Sequence, residues 1–190
     1  MPVRRLLVVL AFPALMLAAC GNSRTPVPDL IQPAVPNGMQ TLTYPAAGVT
    51  LRAPRNWTVT PGKDQLVVTV ASGHVLAALW RFPRTEPLPS TPAALEQARR
   101  RLVDAATRRY HRLHMIRSRV LKLAGAHAIE LSATERIAGA PRRVRSIHVF
   151  KYHAELVLDE YAPPAFFHTV DHQVFTPIKR SLRLGAASGA

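Results

Sequence analysis

Past position 40 of this 190-residue chain, apolar residues recur every three or four positions in only two long stretches, and elsewhere they follow strand patterns. The first helical stretch begins at Thr91-Pro92, a typical N-cap followed by proline at the first helical position. The second covers residues 165–184 and follows a Pro-Pro pair. One helix between two groups of strands and another after them predict a layered α+β domain.

The strand patterns predict an antiparallel sheet. Two apolar runs at 65–71 and 74–82 flank Ser72-Gly73, and a two-residue gap with glycine is typical of a β-hairpin. Apolar residues occupy both parities of these runs, as at Val67 and Val68, which favours a sheet covered on both faces. Four more strand segments follow the first helix, so we expect about six to eight strands with helices packed on them.

The N-terminus has the organisation of an exported lipoprotein. Arg4-Arg5 precede an apolar run over residues 6–19 that is too short for a comfortable spanning helix. The run ends in Leu-Ala-Ala followed by Cys20, which resembles the bacterial lipobox. We expect a signal peptide at 1–19, lipidation of Cys20 with palmitate-type chains, and a cell-membrane location on the extracytoplasmic side. An ordinary secretory signal with an incidental cysteine is the alternative.

The sequence also predicts how the exported chain is divided. Residues 20–40 are rich in proline and predict a semi-stiff linker after the lipidated N-terminus. Residues 41–184 predict one globular domain, and residues 185–190 a disordered tail. Because Cys20 is the only cysteine, a disulfide framework, multi-cysteine metal sites and thiol catalysis are excluded.

Short motifs in the domain resemble a known family. They are Tyr44-Pro45 and Gly48 before a strand, Pro54-Arg55-Asn56-Trp57 after it, and Phe175-Thr176-Pro177-Ile178-Lys179-Arg180-Ser181-Leu182 in the final helix. Together they resemble PsbP-like lipoproteins, which include mycobacterial LpqN-type lipoproteins and, more distantly, photosystem PsbP and Ran-binding Mog-type proteins. The resemblance implies an α/β/α sandwich over residues 41–184. It also implies a binding or accessory role without a shared catalytic residue.

The common catalytic motifs are missing from the sequence. It has no Gly-x-Ser-x-Gly elbow, Ser-x-x-Lys, phosphate-binding glycine loop or His-Glu-x-x-His. We therefore expect no enzyme, no catalytic residue and no cofactor. A Ser-His-Asp arrangement assembled across the fold stays open as an alternative.

One histidine pair has the spacing of metal ligands. His168 and His172 lie four residues apart on the predicted second helix, with Asp171 between them. Lys179 and Arg183 are predicted on the same helix side and would repel a metal ion. We expect a solvated helix side and no metal site.

Arginines dominate the charge of the chain. The formal net charge is +14, of which Arg4 and Arg5 contribute two. The first helix carries Arg100, Arg101 and Arg108, with Arg112 just beyond, and a second cluster is Arg142, Arg143 and Arg145. Such groups bind carboxylate or phosphate, so anionic lipid, a wall polymer or an envelope protein are the expected partners. The alternative is ordinary solvated arginine.

Nucleic acid is not an expected partner. Its recognition normally adds exposed aromatic residues, and Tyr110, the only aromatic residue among these arginines, fits the buried helix stripe. Trp57 and Trp80 are expected in the core more readily than in a ligand pocket. The sequence thus predicts a membrane-anchored, non-catalytic binding or accessory module. The alternatives are a carrier of a small apolar ligand between sheet and helix, and an unrecognised enzyme.

Overall fold

A computed structural model of the protein describes residues 31–188. The predicted signal peptide and Cys20 lie outside the described residues. In chain order the strands are β1 (Met39–Tyr44), β2 (Val49–Pro54), β3 (Thr58–Pro61), β4 (Leu66–Ser72), β5 (Val75–Pro83), β6 (His114–Leu123), β7 (Ala126–Ile137), β8 (Ala140–Lys151), β9 (Ala154–Ala162) and β10 (Arg183–Leu184). The α-helices are α1 (Pro92–Arg109), α2 (Pro164–Val170) and α3 (Thr176–Ser181). None of the described helices has the length and hydropathy needed to cross a bilayer.

The strands form two antiparallel sheets. The large sheet has seven strands in the order β3-β4-β5-β9-β8-β7-β6, and the small sheet has three in the order β1-β2-β10. The α+β class and the predicted strand number are confirmed for the large sheet. The hairpin predicted around Gly73 is also confirmed, since Ser72 pairs with Val75. The separate small sheet is an addition that the sequence patterns did not predict.

One face of the large sheet carries the main hydrophobic core, and we call it the packed face. Alternate residues of its strands point to this face, among them Leu79, Ile147 and Leu158, each at most 2 % exposed. They pack against the C-terminal helix and the small sheet, through Phe175 of the former and Leu51 of the latter. The C-terminal helix contacts β8 and β9 near its start and β2 near its end.

The C-terminal helix changes its hydrogen-bonding pattern before Pro177. Residues Asp171–Phe175 form a π-helical turn between α2 and α3. Pro177 has no backbone N–H and would remove the α-helical bond to Gln173. The wider π turn accommodates this loss, because α3 restarts at Thr176.

A buried ion-pair network joins the helix to the packed face. Arg145 of β8 pairs with Glu160 of β9 and donates to Asp171 of the π turn, where its Nη1 lies 3.1 Å from Oδ2. Lys179 reaches the same two carboxylates, with Nζ 3.2 Å from Glu160 Oε1 and 3.0 Å from Asp171 Oδ1. Arg145 is 12 % and Lys179 16 % exposed. The prediction that they carry surface charge is therefore wrong, because both neutralise carboxylates inside the fold.

The opposite face of the large sheet is covered only in part by α1. Thr91 caps this helix, its Oγ1 accepting from the backbone N–H of Ala94 at 3.2 Å, as predicted. The helix packs mainly against β6 and β7, at one side of the sheet. Among its own residues only Leu95 is buried. Cleft-facing residues of β5 and β9 are nevertheless shielded, Ala78 at 3 % and Val157 at 7 % exposed, so the expected covering of both faces holds with a gap between α1 and these strands.

The segment of residues 31–37 lies against the body of the domain, and we call it the strap. The backbone N–H of His74 donates to the carbonyl of Ile31 at 3.2 Å. Trp57 Nε1 donates to the Ala34 carbonyl at 2.9 Å, and the Ala34 N–H donates to Ser72 Oγ at 2.9 Å. The strap is therefore fixed beside the turn between β4 and β5.

Candidate functional site

The part of the sheet beyond the main contacts of α1 with β6 and β7 forms the floor of a large cleft. Its roof is the C-terminal half of α1, and its volume is about 1150 Å³. This volume is slightly above the range of about 300–1,000 Å³ that is typical of small-molecule sites. The floor is built by outward-facing residues of β5, β9, β8 and β7, among them Leu76, Ala78, Trp80, Val157, Val144 and Leu131. The cleft exists because α1 stands over one side of the sheet and leaves the other side open.

Strand pairing sets the shape of the floor. Residues of one parity line it, so that Leu76 and Trp80 of β5 lie in register with Tyr161 and Val157 of β9. From Leu76 to Phe82 the floor follows seven residues of one strand. Their six steps of about 3.4 Å span about 20 Å. Trp80 and Phe82 stack with ring centroids 6.5 Å apart at the far end. The floor is therefore a long apolar trough.

A chain of polar side chains interrupts this trough. Ser146 Oγ and His148 Nε2, two residues apart on β8, are separated by 3.3 Å. His148 Nδ1 lies 2.6 Å from Glu155 Oε1, and Arg84 pairs with the same carboxylate. Burial raises the pKa of Glu155, but hydrogen bonds from His148 and Arg84 outweigh burial and leave the pKa below its usual range. Glu155 is thus held as a carboxylate.

Asp159 lies beside this chain and behaves differently. It pairs across the sheet with Ser146 and lines the cleft. Burial raises its pKa, and side-chain hydrogen bonds from Ser146 and Trp80 offset the rise only in part. Glu155 and Asp159 thus have environments that move their pKa values in opposite directions, and of the two only Asp159 lines the cleft. The polar residues Ser146, His148, Glu155 and Asp159 are called the polar cluster below.

One end of the cleft opens between the C-terminus of α1 and the turns of two hairpins, and we call it the mouth. Arg109 and Tyr110 line it from α1, and His74 and Arg142 line it from the sheet. Arg142 Nη2 lies 3.3 Å from His74 Nδ1, and the Arg109 guanidinium stands 5.5 Å from the Tyr110 ring centroid. Glu135 also lines the cleft here, and burial raises its pKa. The mouth is thus lined mainly by basic side chains, together with one tyrosine and one glutamate.

The arginines predicted to bind an anionic surface fall into two groups. Arg100 and Arg101 lie midway along α1 and are exposed, and Arg100 Nε donates to Glu96 at 3.2 Å. Arg108 is in the last turn of α1 and Arg112 follows the helix, both exposed and close in sequence to the mouth. Their role in binding stays a prediction, but the structure separates the four by position.

The second basic cluster is divided as well. Arg142 lines the mouth, whereas Arg145 belongs to the buried network, and the Arg143 guanidinium lies 5.6 Å from the Phe167 ring centroid. The sequence predicted these three as one patch. Strand alternation instead directs Arg142 and Arg145 to opposite faces of the sheet.

The histidine pair considered as metal ligands lies on the outside of the C-terminal helix. His168 and His172 are exposed, and Asp171 between them is engaged by Arg145 and Lys179. Burial raises the pKa of Asp171, but the two cations outweigh it and lower the pKa well below its usual range. Within residues 31–188, no group of three or more potential ligands is arranged to hold a metal ion.

The aromatic residues show where sequence patterns misled. Trp57 is in the core, as expected, at 4 % exposed. Trp80 lines the cleft, and Tyr110, predicted in the buried stripe of α1, is 42 % exposed at the mouth. Trp80 and Tyr110 both lie at the cleft, where α1 stands away from the sheet. The spacing of apolar residues along α1 does not show where the helix stands over the sheet.

The polar cluster was missed by the sequence analysis. A signal was present, because Ser146 and His148 alternate on one face of a strand whose neighbours Val144, Ile147 and Val149 are apolar. Polar residues at period two inside an apolar run indicate a wetted patch on one sheet face. Glu155 and Asp159 join that patch because β9 lies next to β8, and the order of strands in the sheet is not given by the spacing of polar residues.

A scan of protein-family models and a search of curated proteins found no match to this chain. Solved structures do match. The solution structure of cyanobacterial PsbP (CyanoP) from Synechocystis superposes with a TM-score of 0.60 at 12 % identity, covering 77 % of this chain and 92 % of that one. The crystal structure of LpqN, described as involved in cell envelope biogenesis of Mycobacterium tuberculosis, gives 0.54 at 13 % identity, covering 77 % and 90 %. The chain has a PsbP-like fold, and the resemblance from short motifs is confirmed at the level of fold.

Proposed function

We propose that this protein is a membrane-anchored, extracytoplasmic accessory module that holds a small amphipathic molecule in the cleft between α1 and the large sheet. The single observation that carries the proposal is the cleft itself, an apolar trough of about 1150 Å³ with a polar cluster on its floor. A cavity of this size lined mainly by apolar side chains favours an apolar occupant. Of the alternatives left open by the sequence, this is the carrier of an apolar ligand.

Two further features support an envelope setting. The apolar run and Cys20 resemble a lipobox, and lipid chains on that sulfur would hold the domain at a membrane. A PsbP-like neighbour of this fold, LpqN, is described as involved in cell envelope biogenesis. An accessory, non-catalytic role at the envelope is consistent with the lipobox-like sequence and with this structural neighbour.

The ligand proposal is tested by closing the cleft. Ala106 lines the roof, so Ala106→Trp fills the trough, whereas Ala93→Trp adds the same side chain at an exposed site near the start of α1. We expect native mass spectrometry to detect co-purified mass on the wild-type protein and on Ala93→Trp, but not on Ala106→Trp. Nile red fluorescence should follow the same order. Equal signals from all three proteins would refute the cleft as a ligand site.

The anchor is tested separately. Metabolic labelling with an alkyne fatty acid should mark the wild-type chain in the membrane fraction and leave Cys20→Ala unmarked. If Cys20→Ala stays labelled and membrane-bound, the lipid anchor is wrong while the cleft proposal is untouched.

Ester hydrolysis is a second candidate function, favoured only by the chain Ser146–His148–Glu155. Its distances of 3.3 Å and 2.6 Å follow the order nucleophile, base and orienting carboxylate. Against it, the hydroxyl of Ser146 also hydrogen-bonds Asp159, which competes with His148 for the same proton. Ser146 also lies inside β8, where backbone N–H groups are used in the sheet ladder instead of forming an oxyanion hole. Turnover of a nitrophenyl acyl ester that disappears in Ser146→Ala would establish this function over simple binding.

A further inference from the structure

We infer that the mouth of the cleft is a docking face for an anionic lipid bilayer, so that the cleft opens towards the membrane. The reason for docking, which is to bring the cleft to the membrane, rests on the proposed function. The charge, apolar surface and chain direction that support docking do not. Three independent features of the described residues coincide at this one end of the molecule.

The first feature is charge. The last turn of α1 and the residues after it present Arg108, Arg109 and Arg112, all exposed. Arg142 and His74 stand on the opposite side of the opening. An arginine near an anionic lipid surface contributes about 1 kcal/mol of attraction, so a group of this size favours such a surface strongly.

The second feature is exposed apolar surface within that basic rim. Tyr110 is 42 % and Ile137 is 37 % exposed, and both line the cleft at the mouth. Tyrosine has an apolar ring and a polar tip, which suits the boundary between headgroups and acyl chains. Basic residues around a small apolar patch are the composition of membrane-surface binding sites.

The third feature is the direction from which the preceding chain arrives. The strap is fixed by hydrogen bonds beside the turn between β4 and β5, and His74 of the mouth binds the carbonyl of Ile31. Gly73, at φ +54°, allows this contact, since a Cβ there would lie 2.6 Å from the carbonyl oxygen of Gln32. The thirty residues that precede the strap, including Cys20, are therefore joined to the domain at the mouth. An anchor on Cys20 would place this end nearest the bilayer.

The opposite end of the sheet also exposes an aromatic residue beside a basic one, since Lys151 Nζ lies 5.0 Å from the Tyr152 ring centroid, but the strap joins the domain at the mouth. It therefore provides an internal control. β8 runs from Ala140 near the mouth to Lys151 at the other end, about 37 Å away. There the turn between β8 and β9 exposes Tyr152, at 45 %, close to the value for Tyr110. The two tyrosines thus have similar exposure at opposite ends of one sheet.

The test uses the chain from position 20 onwards with Cys20→Ser, which keeps every described residue and removes the anchor. The mouth variant is Arg108→Glu, Arg109→Glu and Arg112→Glu. The matched control, Arg100→Glu, Arg101→Glu and Arg180→Glu, makes the same change in net charge at exposed sites away from the mouth. Binding is measured by sedimentation with vesicles of phosphatidylcholine and phosphatidylglycerol, and with phosphatidylcholine alone.

We expect binding to anionic vesicles only, a loss of about 100-fold or more for the mouth variant, and a much smaller loss for the control. Equal losses for both variants would mean that diffuse positive charge is responsible and would overturn the docking face. Nile red binding by the wild-type protein without vesicles tests the cleft separately. If the wild-type protein binds anionic vesicles but not Nile red, the proposed function fails while the docking result stands by itself.

Orientation gives a second and independent readout. Tryptophan introduced as Tyr110→Trp should be quenched by brominated lipids in anionic vesicles, whereas Tyr152→Trp should not be. Quenching of Tyr152→Trp alone, or of both equally, would contradict docking through the mouth even if the charge variants behaved as expected.

Discussion

The two faces of the large sheet are built from the same strands and have opposite properties. On β8, Arg145 and Ile147 point to the packed face, where carboxylates and apolar residues surround them. Their neighbours Ser146 and His148 point to the cleft. The packed face is in contact with the C-terminal helix and the small sheet. On the cleft face, α1 contacts mainly β6 and β7, at one side of the sheet. A fold can thus place its stability on one face and leave the other available for binding.

The largest effect expected from this comparison is on the packed face. Phe175 is completely buried in the core, and Phe175→Ala should lower the free energy of unfolding by about 3–5 kcal/mol. Trp80→Ala, on the cleft face, removes a larger side chain that is only partly buried, so its loss should be smaller. Urea unfolding of both variants measures the difference. A larger cost for Trp80→Ala would show that the cleft face also carries the core.

The charged groups extend the comparison. Arg145→Met leaves Glu160, at 0 % exposed, with Lys179 as its remaining cation, and we expect a loss of about 3–5 kcal/mol in urea unfolding. Arg84→Met removes the partner of Glu155 on the cleft face. Because Arg84 is 45 % exposed and His148 still pairs with that carboxylate, we expect only about 1 kcal/mol. Similar losses would remove the distinction between structural and accessible ion pairs.

The packed face was largely predictable from the sequence. Periodicity located the C-terminal helix, the hairpin around Gly73 and the strands that follow α1, because hydrophobic patterns report which residues must be buried. The stripe through Val170, Val174 and Ile178 of the C-terminal helix is buried as the pattern indicated. The spacing of apolar residues is enough to predict an element whose side is fully buried, because every position on that side must then be apolar.

The cleft was not predictable in the same way. Its floor depends on β5 lying next to β9, a neighbour from far along the chain, and its roof on where α1 stands over the sheet. The spacing of apolar residues predicts neither the pairing of β5 with β9 nor the position of α1. Trp80 and Tyr110 were therefore expected in the core. Glu155 and Asp159 come together with Ser146 only through this pairing. The residues that distinguish the site are thus those whose partners are distant in sequence.

The smallest expected effect concerns two carboxyl groups of the polar cluster, Asp159 and Glu155, whose pKa values shift in opposite directions. Burial raises the pKa of Asp159, so its contribution to stability is complete below the unfolded pKa of about 3.9 and is lost as pH rises through the folded value. Asp159→Asn avoids the ionised form and keeps an acceptor for Ser146. This variant should be more stable than the wild-type protein near pH 7, and the advantage should disappear at about pH 3.

Glu155→Gln is the matched control because the shift at Glu155 has the other sign. Hydrogen bonds from His148 and Arg84 overcome burial and lower its pKa, so it stabilises the fold above the unfolded pKa of about 4.3 and loses this contribution as pH falls through the folded value. Glu155→Gln should therefore be less stable than the wild-type protein near pH 7 and converge with it in acid. Urea unfolding of the three proteins between about pH 3 and about pH 7 measures both differences. Differences of the same sign for the two variants would mean that the polar cluster titrates as one unit, and the separate assignment of a held carboxylate and a protonatable one would be wrong.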